Sequence, residues 1–134
     1  MRAAFDTNIL VYAFSKDDRA EPARQLLSSG GFVAVQSLNE FTHVALRRLR
    51  MTWPEIHESL AIIRSLCLPA GTIDIAIHED GLRIAERYRL QLFDAMIAAA
   101  ALQADCDILW SEDMHDGLVI DGRLAVRNPF ADQA

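Results

Sequence analysis

Five acidic residues, far apart in the chain, are of the type that holds divalent cations. They are Asp6 behind a short apolar run, Glu40, Asp94, and the pair Asp113 and Asp116 in the stretch Ser-Glu-Asp-Met-His-Asp-Gly. Carboxylate oxygens are hard donors, and Mg²⁺ or Mn²⁺ are the ions that match them. Gathered at one point, such acids cannot stand alone. Two carboxylates about 5 Å apart repel by roughly 3 kcal/mol at an effective dielectric of about 20. Several such pairs rival the whole stability of a domain, about 5–15 kcal/mol, and a helix N-terminus offsets only about 0.3–1 kcal/mol for each acid. Either some are protonated or a cation sits among them. One or two such ions suit phosphodiester hydrolysis, where the metal polarises a phosphoryl oxygen and activates a water without any protein nucleophile. Thr7, Asn8 and Ser111 flank the acids, and the two hydroxyls can orient water or a ligand carboxylate.

Each acid also has a plain structural use. Asp6, Thr7 and Asn8 are all favoured N-cap types, and Ser37 to Glu40 fits the Ser-x-x-Glu capping box. Asp94 is placed to cap its own helix, and Asp113 to belong to a turn ending at Gly117. The two uses are told apart by whether the elements bring the acids together.

Those elements follow from the hydrophobic pattern. Residues 3–5 read as a short buried strand, residues 9–14 as the apolar part of a helix, and residues 21–27 as a second helix closed by Gly30 and Gly31. Residues 32–36 are β-branched and apolar, a strand. Residues 37–50 carry Leu38, Phe41, Ala45, Leu46 and Leu49 at helical spacing, with Arg47, Arg48 and Arg50 on the remainder. Pro54 suits the first turn of a helix that runs to a stop near Pro69. The spacing then predicts a strand over 72–75, a helix over 77–88, an Ala-rich helix over 94–104, a strand over 108–111 and a last edge strand over 124–126. Strands alternating with helices predict an α/β fold with a mainly parallel sheet covered on both faces. In such a sheet, strand C-termini and helix N-termini share one edge, where open α/β sheets place their sites. Asp6, Glu40, Asp94 and Asp113 all fall at that edge, and Asp116 can reach it.

At 134 residues the chain fits one domain spanning 1–134, and 51% hydrophobic with 24% charged residues argues against disorder. The longest apolar run, residues 95–102, is too short to cross a bilayer. With no export signal in the reading, a cytoplasmic protein without a membrane partner is expected. Cys67 and Cys106 have no metal-site spacing and read as buried thiols. A net charge of −6 disfavours a general nucleic-acid binder with a broad basic surface. Twelve of the thirteen basic residues are arginine, so local phosphate contacts would come from guanidinium groups. Arg47, Arg48, Arg50 and Arg64 are candidates for steering phosphates towards the acids, and a solvated helix face explains them without any such ligand.

The stretches FDTNILVYAF, VQSLNEF, FDAMIAAAAL and ILWSEDMHDG, in that order and spacing, resemble the PIN domain, in particular VapC-type toxins of bacterial toxin-antitoxin pairs. The resemblance spans essentially the whole chain. It implies a three-layer α/β/α sandwich and a Mg²⁺- or Mn²⁺-dependent endoribonuclease, with Asp6, Glu40, Asp94 and Asp113 as the acidic quartet. The fourth ligand varies in the family, so either Asp113 or Asp116 can serve. It also implies homodimers and a cognate antitoxin whose tail lies across the active-site groove.

Other acidic-edge proteins fit less well. A phosphatase of the haloacid-dehalogenase type wants a second Asp two residues after its nucleophile, where this chain has Asn8. Response-regulator receivers need a late lysine, and the only lysine is Lys16. No glycine pattern after a strand suits a dinucleotide. Glu40 and His43 give one Glu-x-x-His, where a di-iron bundle needs two. A catalytically inactive acidic-edge module that binds an antitoxin-like partner for regulation is the alternative of a different class.

Overall fold

The computed structural model describes residues 1–131. Twelve elements follow one another: β1 (Ala3–Phe5), α1 (Thr7–Ala13), α2 (Ala20–Ser28), β2 (Gly31–Ala34), α3 (Val35–Arg47) and α4 (Trp53–Leu66), then β3 (Cys67–Ala70), α5 (Ile75–Tyr88), α6 (Leu92–Gln103), β4 (Ile108–Trp110), β5 (Val119–Ile120) and β6 (Leu124–Arg127). The six strands form one sheet in the order β3-β2-β1-β4-β6-β5. Every pairing is parallel except that of β5 with β6.

Neighbouring strand residues point to opposite faces, and each face has its own core. Ala4 and Ala34 join Ile77, Ile84, Ile97 and the alanines of α6 on one side. Phe5 and Val33 join Ile9, Leu10, Leu27, Phe41, Ile56 and Ile63, from α1 to α4, on the other. The result is the α/β/α sandwich with a mainly parallel sheet. α6 is buried from Ala95 through Leu102 because α5 covers one side and the sheet the other. Gly81 of α5 allows that closeness, since a Cβ there would stand 2.8 Å from Cγ of Met96.

The topology fixes where a site can be. From β1 the chain builds outwards through β2 to β3, then crosses by α5 and α6 to β4 on the other side of β1. The carboxyl ends of β1 and β4 therefore flank the point where the strand order reverses, the crevice in which such sheets bind ligands.

Several boundaries differ from the sequence expectation. The strand expected over 32–36 stops at Ala34, and α3 begins at Val35 rather than 37. β1 is only three residues long, so there is little ladder to extend along, and tertiary context overrides the β-propensity of Val35. The helix expected to end near Pro69 ends at Leu66, and Pro69 lies inside β3. β3 is an edge strand paired only with β2, where a missing N–H is tolerated. Residues 72–75 form no strand. Asp74 caps α5 by accepting from Ile77 N at 2.9 Å and draws Ile75 into the helix. β6 is not an edge, because the two-residue β5 covers it.

Candidate active site

Asp6 leaves β1 as its main-chain N–H donates to the Trp110 carbonyl of β4 at 2.9 Å. It is the N-cap of α1 and only 2% exposed. Oδ1 accepts from the Thr7 N–H at 2.7 Å, Oδ2 from the Ser111 hydroxyl at 2.7 Å and, more loosely, from the Asn8 amide at 3.5 Å. Burial pushes this carboxyl up to about 7 from 3.8. The Ser111 and Thr7 hydrogen bonds oppose the rise, and the charges of Asp94 and Asp113 add to it.

The loop after β4 is fastened to the start of α1. Ser111 Oγ, besides donating to Asp6, accepts from Met114 N at 3.2 Å, and Asn8 Oδ1 accepts from Glu112 N at 3.3 Å. One turn further along α1, the Tyr12 hydroxyl donates to Glu112 Oε1 at 2.6 Å, and Arg19 Nε pairs with Glu112 Oε2 at 2.9 Å. Asp113, exposed at the loop's crest, is held by its neighbours rather than by its own side chain.

Glu40 lies in the second turn of α3, half-buried. The expected Ser37 to Glu40 capping box does not form: Ala34 is the N-cap, no side chain caps the helix, and Ser37 Oγ is buried without a partner. Glu40 Oε2 and Thr7 Oγ1 are likewise buried without a hydrogen-bond partner. Burial raises the Glu40 carboxyl, and Asp94 and Asp113 raise it further, while Gln36 and Thr7 beside it pull the other way. Asp94 does not cap α6 either. The N-cap is Gln91, and Asp94 sits in the first turn, raised by burial and then by Asp113.

Topology thus places Asp94 and Asp113 where their charges act on each other, on Asp6 and on Glu40. Asp116 is engaged by another strand's end, its Oδ1 accepting from Asn128 N at 2.9 Å. A cleft of about 460 Å³ opens between α1, α3 and the β4 loop, and Thr7, Asn8, Tyr12, Glu40, Arg48 and Asp113 line it. Of the four arginines singled out in the sequence, all exposed, Arg48 reaches this cleft; Arg64 lines a different groove, with His57 and Thr42. Tyr12, Glu112 and Phe93 border the acids without having drawn attention in the sequence. Tyr12 stands four residues from Asn8 on one helix face, and Phe93 directly precedes Asp94.

Among the described residues no salt bridge engages Asp6, Glu40, Asp94 or Asp113. Four acids, three of them held above their ordinary range, plus an unpartnered buried carboxylate oxygen, fit a divalent cation by charge and donor chemistry. Yet no three His, Cys, Asp or Glu side chains among the described residues are drawn tightly enough together to enclose an ion. A Mg²⁺ or Mn²⁺ ion held by one or two of these carboxylates, with water and substrate oxygens completing its shell, needs no such enclosure.

The sequence model of the PIN domain matches residues 3–115. A toxin-antitoxin complex from Klebsiella pneumoniae is similar in structure with TM-score 0.64 and 25% identity, over 95% of this chain and 97% of that one. VapC20 of Mycobacterium tuberculosis, a toxin that cleaves the sarcin-ricin loop, is similar with TM-score 0.68 and 16% identity, over 83% and 91%. VapBC2 of Rickettsia felis, solved on a DNA fragment of its promoter, is similar with TM-score 0.68 and 18% identity, over 96% and 98%. No match was found among the curated proteins.

Proposed function

This chain belongs to the PIN domain family, and on that premise we propose that it is a divalent-metal-dependent endoribonuclease, the toxin of a toxin-antitoxin pair. The observation that carries the reading is Asp6. It is a carboxylate 2% exposed, raised to about 7, sharing the field of Asp94 and Asp113 and, among the described residues, met by no cationic side chain. Such a group is relieved either by a proton or by a bound cation, and a cation is the relief that ties it to phosphodiester hydrolysis.

Asp6, Glu40, Asp94 and Asp113 would hold one or two Mg²⁺ or Mn²⁺ ions. A bound divalent ion supplies polarisation of a phosphoryl oxygen and a lowered pKa for water. The chain's own residues do the placing. Ser111 and the Thr7 N–H fix both Asp6 oxygens, and Asn8 and Ser111 hold the loop that carries Asp113. Arg48 puts a guanidinium on the cleft, where it offsets the repulsion an acidic protein offers an RNA phosphate. The partners that follow are an RNA substrate, an antitoxin covering the same cleft, and a second copy of the chain in a homodimer, all in the cytoplasm. No helix among the described residues is long and apolar enough to cross a membrane.

Asp6→Asn and Asp94→Asn test the reading. Each lowers RNA cleavage by at least about a hundredfold, since loss even of a residue that merely supports a metal ligand costs about 10–100-fold. Melting temperature in EDTA stays level or rises, because repulsion falls. If the variants unfold while the remaining soluble fraction keeps its specific activity, the acids serve only as structural residues. If wild-type protein takes up Mn²⁺ in calorimetry but cleaves no RNA, the regulatory module is correct.

A further inference from the structure

We propose that a small pocket beside the acids, floored by Phe93 and Val44, is a subsite for one unpaired nucleobase of the RNA next to the cleavage point; the proposal rests on the ribonuclease reading. The pocket has a volume of about 380 Å³, within the ordinary size of a small-ligand site. Its walls are Gln36, Asn39, Glu40, His43, Val44 and Phe93. Glu40 and Val44 also line the acidic cleft, so the two depressions meet along one stretch of α3. A strand whose phosphate lies in the cleft has a neighbouring base within reach of the pocket.

Phe93 is 58% exposed, although it stands in the first turn of a helix that is buried from Ala95 to Leu102. Neither core includes it, and no aromatic pairing engages it among the described residues. An exposed phenyl ring one residue from Asp94 leaves apolar surface in water unless something planar covers it. Gln36, Asn39 and His43 stand around it and turn mainly their apolar atoms to the pocket, whose lining is almost wholly apolar. An apolar surface around an exposed phenyl ring complements the face of a base, which stacks on aromatic rings whatever its edge. Unpaired bases splayed from an RNA strand are commonly held by stacking on an aromatic ring. The wall shared with the acidic cleft, at Glu40 and Val44, is what favours a base over a side chain of a protein partner.

The test uses the full chain carrying Asp6→Asn, to prevent turnover, in Mg²⁺ with fluorescein-labelled hexaribonucleotides whose bases are removed one position at a time. Phe93→Ala is expected to weaken binding of the intact oligonucleotide about tenfold, in line with base stacking on an aromatic ring. Phe93→Trp retains affinity and Phe93→Leu does not. Removal of one particular base costs about the same tenfold in the Phe93 protein and nothing further in Phe93→Ala, the non-additivity of two groups in contact. Full affinity in Phe93→Leu, or an abasic penalty that adds to Phe93→Ala at every position, overturns the subsite. So does unchanged RNA binding accompanied by an altered oligomeric state or lost capture of an antitoxin, which assigns the pocket to a protein. If wild-type protein cleaves RNA while Phe93→Ala cleaves and binds equally well, only the subsite falls; if wild-type protein neither binds nor cleaves any oligonucleotide, the ribonuclease reading falls with it.

Discussion

Asp6 and Asp121 are both held by hydrogen bonds, yet their carboxyl groups move in opposite directions. Asp121, in the turn between β5 and β6, accepts from both terminal nitrogens of Arg83, at 3.0 and 2.7 Å, and from the Tyr88 hydroxyl at 3.2 Å. The Arg83 guanidinium, which Asp80 also engages at 2.8 Å, holds the Asp121 carboxyl below the ordinary carboxylate range. Asp6 has two good donors as well, but both are neutral, burial is deeper, and the nearest charges are Asp94 and Asp113. An acid that ties α5 to a β-turn arrives with its cation. The acids at the ends of β1 and β4 arrive without one, and their charge is left for a ligand.

Replacing Asp6 breaks the contrast most sharply. Its carboxyl titrates near 7 in the folded chain and near 3.8 unfolded, so between those values the folded state holds a proton that the unfolded state has lost. The sign follows: stability from this group is complete below about pH 4, declines as pH rises to about 7, and is flat above. Three pH units correspond to about 4 kcal/mol. Urea denaturation in EDTA is expected to show wild type losing ground to Asp6→Asn by about that amount between pH 4 and pH 7.5. Parallel curves would mean that Asp6 is not under this strain. Ser111→Ala sharpens the same side. It removes the donor that favours charged Asp6 and the acceptor for Met114 N. Mn²⁺ affinity by calorimetry should fall about 10–100-fold, and Ser111→Thr should recover most of it. An unchanged affinity would show that the hydrogen bond holds the loop and nothing more.

How much of this was legible in the sequence depended on whether a feature is set by periodicity or by contact. The sheet edge followed from alternating strands and helices, and Asp6 could be placed because residues 3–5 form β1 as their pattern predicts. Capping was legible only in part. Thr52 and Glu55 make a full capping box at α4, with Thr52 N to Glu55 Oε1 at 2.9 Å, while Ser37 and Glu40, with the same spacing, make none. A four-residue pattern does not say where the preceding strand stops, and α3 starts two residues early, which carries Glu40 from the cap to the interior. Pro69 misled because proline closes a helix and tolerates an edge strand equally well, and strand order is not written locally. Tyr12, Glu112 and Arg19 were silent for a similar reason: their partnership spans 100 residues of chain and exists only once β4 lies beside β1.

Arginine offers a smaller test of the same contrast. Arg83 spends its charge on Asp80 and Asp121, whereas among the described residues Arg48 forms no salt bridge and lines the acidic cleft. Reversing Arg48 to Glu should weaken RNA binding several-fold and lower the slope of log affinity against log salt by about 0.7, the share of one single-strand phosphate contact. Arg64→Glu, in the separate groove with His57 and Thr42, should leave that slope unchanged. Equal effects would reduce both residues to a general contribution to net charge.

The smallest expected effect comes from the paired side, and its direction matters more than its size. Asp121 is depressed by Arg83, so its stabilisation is present above the ordinary carboxylate range and lost as pH falls, opposite in sign to Asp6. Arg83 is about half exposed, with a side chain 47% accessible, so solvent screens the pair, and Asp121→Asn should cost no more than about 1 kcal/mol. Measured by urea denaturation at pH 7, that loss should shrink towards zero near pH 3, while Mn²⁺ affinity and RNA cleavage stay at wild-type values. Should Asp121→Asn disturb metal binding, the two carboxylate sets are coupled through α5 and α6, and the division of acids into structural and functional groups does not hold.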